Sequence, residues 1–211
     1  MPSQVSPRLL SLLDAEPLSA ATVLDVGTGH GLLALALAPR CRHVIGIDRD
    51  AAALDEARRR VRLAGTRNVE FVVSDAEVEE YVAFAPGLVV AHLCMSDAIV
   101  ERAARALAQG HVLAFVAFHA DQWRETGRRS RFAYDEDQLT ALLQRTGFLV
   151  ESLEVDRDVQ RFTSVEEGLA AAIGLHERWR ADGRWFHYIK YLEEGGRTLT
   201  RAHLVVKARR R

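Results

Sequence analysis

The strongest constraint in this sequence is a glycine-rich turn between a strand-like apolar run and a helix-like run. The turn reads Asp25-Val-Gly-Thr-Gly-His-Gly31 and grows out of the β-branched run Thr22-Val-Leu-Asp-Val26. Glycines at alternate positions let the backbone turn tightly and approach a ligand closely, with the free N–H groups of a helix start nearby. A strand, such a turn and a helix, in this order, indicate an α/β protein with a ligand site at the turn.

The rest of the chain alternates in the same way, which predicts a parallel α/β sheet. Helical spacing is expected after Ser6-Pro7, after Asp50, from about residue 97 to 108, and after Asp135. Seven apolar runs are predicted as strands, at residues 22–26, 43–47, 69–73, 88–91, 111–118, 148–155 and 198–206.

A helical segment at about 160–196 interrupts this alternation between the last two predicted strands. It opens with the capping box Ser164-Val-Glu-Glu167 and contains a group of aromatic residues, Trp185, Phe186, Tyr188 and Tyr191. Three interpretations are open: a satellite core, a substrate lid and an oligomer contact. With 211 residues and no long linker, we expect one domain over residues 1–211.

Composition excludes several classes of protein. The chain is 48% hydrophobic and 27% charged, which is typical of a globular protein, and the apolar stretch at 31–38 is far shorter than the roughly 20 residues of a membrane span. Cys41 and Cys94 have neither disulfide nor zinc spacing, so no metal is expected. We find no leader pattern among the first residues, and we therefore expect a cytoplasmic protein.

The charge balance argues against a general attraction to nucleic acid. Lys and Arg total 28 against 29 Asp and Glu, for a net charge of −1. Four arginines between Arg124 and Arg131, and the tail at 207–211, leave a local basic surface as the only support for a nucleic-acid partner. A small-molecule partner is the main expectation, and the sequence does not give the oligomeric state.

Three aspartates follow successive predicted strands. Asp25 precedes the glycine turn, Asp48 ends the second strand and Asp75 follows the third. Because the carboxyl ends of parallel strands meet at one edge, these side chains are expected around one cleft, where Asp48 can accept hydrogen bonds from ribose hydroxyls. The alternative for each aspartate alone is a helix cap. Leu32 stands where the dinucleotide fingerprint requires its last glycine, which disfavours a nicotinamide site.

At these residues the sequence resembles the class I S-adenosylmethionine-dependent methyltransferases over residues 20–155. The segment at 23–31 is similar to the first motif of the family, and Val44-Ile-Gly-Ile-Asp48 is similar to its ribose-binding strand. The segments at 68–76 and 88–93 are similar to its adenine-binding strand and its fourth strand. The resemblance implies a doubly wound, mostly parallel seven-stranded sheet whose last strand is antiparallel.

The resemblance also implies S-adenosylmethionine as the cofactor, converted to S-adenosylhomocysteine. Asp25 would orient the turn, Asp48 would hold the ribose, and His92 would lie beside the sulfonium. The glycines that would make room for the methionine portion are Gly27, Gly29 and Gly31, and the residues that would read the adenine edge are Asp75 and the Ala76 N–H.

Methyl transfer is an in-line displacement that needs an aligned acceptor and, for some acceptors, a general base. His92 and His119, at the ends of the fourth and fifth strands, are the candidate bases, although strand-end histidines also serve as ordinary hydrogen-bonding residues. Arg131, Tyr134 and Trp185 are candidate acceptor contacts, with surface or core packing as the alternative. We expect a small-molecule acceptor. An RNA or protein methyltransferase, a nicotinamide-dependent oxidoreductase and a non-catalytic binding module remain as alternatives.

Overall fold

The computed structural model describes residues 5–211, and its elements follow the alternation that the sequence predicts. In chain order the helices and strands are α1 (Pro7–Leu12), β1 (Thr22–Val26), α2 (Leu32–Leu37), β2 (His43–Asp48), α3 (Ala51–Leu63), β3 (Val69–Val73), β4 (Leu88–His92), α4 (Asp97–Ala106), β5 (Val112–His119), β6 (Ala133–Tyr134), α5 (Glu136–Arg145), β7 (Phe148–Arg161), α6 (Val165–Ala172), α7 (His176–Asp182), α8 (Arg184–Glu193) and β8 (Thr198–Arg210). None of the helices in this part of the chain is long and apolar enough to cross a membrane.

The strands form a mostly parallel sheet in the order β3-β2-β1-β4-β5-β8-β7. β1 lies between β2 and β4 and is parallel to both, and it is buried at every position because sheet neighbours and helices cover it. At the other end of the chain, Gly110 N–H donates to the carbonyl of Arg210, and Arg210 N–H donates to the carbonyl of His111. The end of β8 thus lies beside the start of β5, and the predicted sheet with an antiparallel last strand is confirmed.

Local sequence signals explain where the helices begin. The Ser6 hydroxyl accepts from Leu9 N–H before Pro7 opens α1, and the Asp50 carboxylate accepts from Ala52 and Ala53 N–H at the start of α3. α3 then buries one stripe of side chains at helical spacing, Ala53, Leu54, Ala57 and Val61.

The described chain divides into two compact units. The larger unit comprises residues 5–117, 136–154 and 205–211, and the smaller unit comprises residues 118–135 and 155–204. In the larger unit, side chains from β1, β2, β4 and β5 pack with α1 and α2 in one apolar core, which includes Leu9, Val23, Leu37, Val90 and Ala114. A single domain over residues 1–211 stays a prediction.

The smaller unit has an aromatic core, for which the name aromatic cluster is used below. Its buried members include Trp123, Trp179, Trp185 and Tyr188. The rings of Trp123 and Trp179 meet edge to face with centroids 5.3 Å apart, and those of Trp179 and Tyr188 do so at 5.5 Å. The helical segment at 160–196 therefore contains a core of its own, formed with Trp123.

Three features of the sheet differ from the sequence prediction. β6 is a two-residue strand that pairs with the end of β5, and its length leaves no periodicity to detect. β7 extends to Arg161 and β8 to Arg210, beyond the predicted ends at residues 155 and 206. Both extensions are rich in charged residues, so hydrophobic patterning underestimates them.

Candidate functional site

The glycine turn joins β1 to α2, and all three of its glycines have positive φ angles. The values are +66° for Gly27, +50° for Gly29 and +74° for Gly31. At Gly27 an added Cβ would lie 2.2 Å from the Sγ of Cys94, so the chain following β4 comes too close for any side chain there. At Gly29 the nearest atom to an added Cβ is Asp48 Oδ2 at 4.0 Å, which leaves open space beside the turn.

Asp48 connects the end of β2 to this turn. Its Oδ2 accepts from Gly29 N–H at 2.8 Å, and its Oδ1 accepts from Asp50 N–H at 2.9 Å. Each carboxylate oxygen can accept more than one hydrogen bond, so acceptor capacity remains for two hydroxyl groups of a ligand. The turn and the acid predicted to hold the ribose therefore belong to one site.

Asp25 lies beneath the turn and is 1% exposed. Burial raises the pKa of Asp25 to about 7, with a smaller contribution from the negative charge of Asp48. A 2.5 Å hydrogen bond from the Thr28 hydroxyl opposes this rise. Asp25 thus ties the first residues of the turn to β1, and it changes protonation state near neutral pH.

A second loop of the site follows β3. The Asp75 carboxylate is exposed and accepts from Glu77 N–H, and the Ala76 carbonyl accepts from the buried Tyr81 hydroxyl at 2.6 Å. Arg102 on α4 donates to the carbonyls of Glu77 and Glu79. Tyr81 and Arg102 therefore hold the backbone of this loop in place, and Asp75 stays open to solvent.

Sequence reasoning missed the side chains that shape the turn from behind. The ring of Phe71 on β3 packs where Gly31 and Gly46 have no side chain, with an added Cβ meeting it at 2.9 Å and 2.6 Å. Burial raises the pKa of the Cys94 thiol to about 11, and the charges of Asp48 and Asp25 add to the effect. Gly46 lies between Ile45 and Ile47 on β2. A glycine inside a strand indicates that another part of the chain comes close to it, so this residue could have predicted the contact with Phe71.

His92 is the last residue of β4 and is half-buried. Its Nε2 accepts from the Ser6 backbone N–H at 3.2 Å. Leu93, the next residue, has a φ of +60° and donates its N–H to the Val116 carbonyl. This strained conformation marks the turn after β4, and strained non-glycine residues concentrate at functional sites.

His119 and Tyr134 come together in the smaller unit, where they are paired across β5 and β6. His119 is 5% exposed, and its Nδ1 accepts from Asp121 N–H at 3.0 Å. The Asp121 carboxylate pairs in turn with Arg157. Tyr134 is buried, and its carbonyl accepts from Ala120 N–H.

Arg131 and Trp185 have contrasting surroundings, although both lie in the smaller unit. The Arg131 guanidinium is exposed and stacks over the Phe132 ring at 4.3 Å. Trp185 is buried in the aromatic cluster, edge to face with His176 at 4.6 Å. The expected cofactor residues thus all lie in the larger unit, and four of the residues expected around the acceptor lie in the smaller one.

Comparison with known proteins shows which family the chain resembles. A family model described as a methyltransferase domain matches residues 23–111, which span β1 to the start of β5. An uncharacterised methyltransferase of Mycobacterium bovis is 31% identical over 134 residues, covering 57% of this chain and 68% of that protein.

Other relatives match over shorter parts. An uncharacterised RNA methyltransferase of Halalkalibacterium halodurans is 38% identical over 80 residues, which cover 35% of this chain and 18% of the relative. The chain therefore spans less than a fifth of that protein.

Solved structures share the fold over nearly the whole chain. The YcgJ protein of Bacillus subtilis superposes with a TM-score of 0.72 at 17% identity, covering 97% of this chain and 98% of that one. The [4+2]-cyclase SpnF superposes with a TM-score of 0.67 at 24% identity, covering 96% and 80%. Family match, Mycobacterium relative and sheet order lead to one conclusion: the chain belongs to the S-adenosylmethionine-dependent methyltransferases of Rossmann-like fold.

Proposed function

We propose that this protein binds S-adenosylmethionine at the carboxyl edge of its sheet and transfers the methyl group to a small-molecule acceptor. The observation that carries the proposal is the hydrogen bond between Gly29 N–H and the Asp48 carboxylate. It joins the glycine turn to the strand-end acid, so that both can contact one nucleoside ligand. The relative of Mycobacterium bovis, a methyltransferase by name, supports the same activity.

The residues of the site fit this cofactor. Asp48 has remaining acceptor capacity for both ribose hydroxyls, and the open space at Gly29 allows a ligand to approach the backbone. Asp75 is exposed next to Ala76, whose backbone is held by Tyr81, so this pair can read the polar edge of adenine. A nicotinamide cofactor is disfavoured by Leu32 at the place of the last fingerprint glycine.

The bound cofactor supplies an activated methyl group on a positively charged sulfur. The protein then has to hold the acceptor in line with the carbon–sulfur bond and exclude water from the site. The strained turn at Leu93 fixes the end of β4 beside the glycine turn, because Cys94 packs directly against Gly27. Packing of this kind restricts movement of the two loops that border the methionine portion.

His92 and His119 are the proposed candidates for a general base, and each must first lose a hydrogen bond that its ring nitrogen accepts. A ring nitrogen that accepts a backbone N–H carries no proton and has its lone pair engaged. His92 must therefore release Ser6 N–H from Nε2, and His119 must release Asp121 N–H from Nδ1, before either nitrogen takes a proton. An acceptor that is already nucleophilic at neutral pH needs neither step.

Arg131, Tyr134 and Trp185 are the proposed acceptor contacts, of which Arg131 is exposed and the other two are buried. A nucleic-acid acceptor is the second candidate, favoured by the exposed side chains of Arg124, Arg128, Arg129 and Arg131 and by the printed name of the RNA methyltransferase relative. Phosphate contacts release counterions, so this candidate requires RNA affinity that falls steeply between 50 and 200 mM salt. Absence of RNA binding at low salt would eliminate it.

Thermal unfolding with separate ligands tests the cofactor proposal. S-adenosylhomocysteine, S-adenosylmethionine and NAD are each added at about 100 times the expected dissociation constant, where a bound ligand stabilises by about 2.7 kcal/mol. For a chain of this size the midpoint should rise by roughly 5–10 °C with the two adenosyl-sulfur ligands. Asp48→Ala should remove the rise, and Asp55→Ala on the exposed face of α3 should keep it. A rise with NAD alone would refute the proposal.

A further inference from the structure

A cavity of about 390 Å³ lies at the amino-terminal edge of the sheet in the larger unit. The first residues of three strands line it, Thr22 of β1, Leu88 of β4 and Val112 of β5. The strand β1 ends at Val26, so one strand length, about 13 Å at 3.3 Å per residue, separates the cavity from the glycine turn. The cavity is therefore distinct from the proposed cofactor site.

The charged side chains that line this cavity, Glu16, Arg42 and Arg209, have a net charge of +1. Arg209 and Glu16 line it and are paired with each other, with Nη2 and Oε1 2.7 Å apart. Arg42 donates from Nη2 to the Thr22 hydroxyl at 2.9 Å. Within residues 5–211 no carboxylate lies within ion-pair distance of Arg42, so its charge is available to an anion.

A histidine side chain borders the same cavity. His111 is one of its lining residues, so its ring can report on an occupant. Its Nδ1 is inaccessible to water and has no hydrogen-bond partner in the described chain, so this nitrogen does not itself contact a ligand in the cavity.

The remaining walls are apolar. Pro17, Leu18 and Ala21 contribute side chains from the segment before β1. A pocket of 300–1,000 Å³ with apolar walls and a few polar groups is typical of small-molecule sites. The Glu16 carboxylate would repel a dianion such as phosphate, whereas one carboxylate matches the one uncompensated guanidinium.

We propose that this cavity is a second ligand site, which binds a small monocarboxylate with an apolar body. The carboxylate pairs with the Arg42 guanidinium, and the apolar body packs against Pro17 and Leu18 beside the His111 ring. The inference goes beyond the proposed function, and its test does not depend on cofactor binding.

Histidine-ring NMR with benzoate as the probe tests the site. The protein is labelled with ¹⁵N in its histidines, and benzoate is titrated to 20 mM against its neutral isostere benzamide. We expect benzoate to shift the signals of the His111 ring nitrogens in a saturable way, because this ring borders the cavity, and to leave those of His92 unchanged. Inorganic phosphate should produce no saturable shift.

Two variants and one control define the outcome. Arg42→Gln should weaken benzoate binding at least about tenfold, since a charge-assisted pair is lost, while Arg62→Gln on α3 should not change it. Ala20→Phe, at an exposed position that lines the cavity, should block binding by filling the space. Equal shifts with benzamide, an unchanged affinity in Arg42→Gln, or no shift at 20 mM benzoate would each overturn the proposal.

Discussion

The glycine turn of the larger unit and the aromatic cluster of the smaller unit are built from different kinds of interaction. At the turn, backbone conformation and backbone N–H groups do the positioning, with positive φ angles at three glycines and hydrogen bonds to the Asp48 carboxylate. In the smaller unit, large side chains pack edge to face, and the Glu125 carboxylate accepts three hydrogen bonds from Thr198 and Thr200.

The difference bears on what each region is proposed to recognise. A site formed by backbone needs particular residue types at fixed spacing, and it suits a ligand part that is shared by a whole family. A site formed by side chains from distant segments changes with each substitution, and it suits a ligand that differs between relatives. Methyltransferases share a cofactor and differ in acceptor, in agreement with this division.

Gly27→Ala should have the largest effect, because it affects both backbone and packing at the turn. A left-handed alanine costs about 1–2 kcal/mol, and the overlap with Cys94 adds about 1–3 kcal/mol. Gly65→Ala is the matched control, since Gly65 has the same φ of +66° and no atom within 4 Å of an added Cβ. Urea unfolding should show the first cost alone for Gly65→Ala and both costs for Gly27→Ala, with binding of S-adenosylhomocysteine lost only in the latter. Equal effects would refute the close-approach argument.

The pH dependence of stability should reveal Asp25, with an effect of about 3 kcal/mol between pH 5 and pH 8. The pKa of Asp25 is about 7 in the folded protein and 3.8 in its ordinary state, so the folded protein binds the proton more tightly. The resulting stabilisation is fully present below about pH 4 and is lost as the pH rises through about 7.

Asp25→Asn isolates this contribution because the amide does not titrate. The unfolding free energy of the wild type, minus that of Asp25→Asn, should fall by about 3 kcal/mol between pH 5 and pH 8, because the folded protein keeps the proton over about two of these pH units at 1.36 kcal/mol each. Thr28→Val removes a hydrogen bond that lowers the pKa of Asp25, so it should move the decline to higher pH. A difference that stays constant across this range would contradict the raised pKa.

The same comparison shows what the sequence could predict. The positions of Gly27, Asp48 and Asp75 follow from residue type and strand ends, which are local signals. Cys94 against Gly27, the Tyr81 hydroxyl on Ala76 and the ring of Trp123 in the aromatic cluster depend on contacts between distant segments. No spacing rule encodes such contacts. The seven longer strands were predictable because they carry such local signals. β6 was not predictable, because two residues carry no periodicity.

Glu125→Gln should destabilise the smaller unit by about 1–2 kcal/mol. Glu125 accepts from Thr200 N–H at 3.0 Å and from the Thr200 hydroxyl at 2.6 Å, and Thr200 is buried. The glutamine amide replaces one acceptor oxygen by a donor, so one of these groups loses its partner. Urea unfolding followed by tryptophan fluorescence measures the loss, and Glu193→Gln at an exposed position on α8 is the control. A loss of cofactor binding free energy in Glu125→Gln as large as the loss of unfolding free energy would contradict the separation of the glycine turn from the smaller unit.

Arg131→Ala should have the smallest effect of the four, about 0.5–1 kcal/mol, because the side chain is exposed and its cation–π contact with Phe132 is of the kind that contributes little. Cofactor affinity should not change, since the expected cofactor residues lie in the larger unit. Calorimetric titration of S-adenosylhomocysteine into the variant measures this directly, and a tenfold weaker binding would refute it. Arg131 contributes little to the free energy of folding. Once an acceptor is identified, a loss of methyl-transfer rate that exceeds the loss of folded protein would therefore assign this side chain to acceptor binding. Of the three candidate acceptor contacts, Arg131 is the exposed one, and its substitution therefore separates recognition of the acceptor from stability most cleanly.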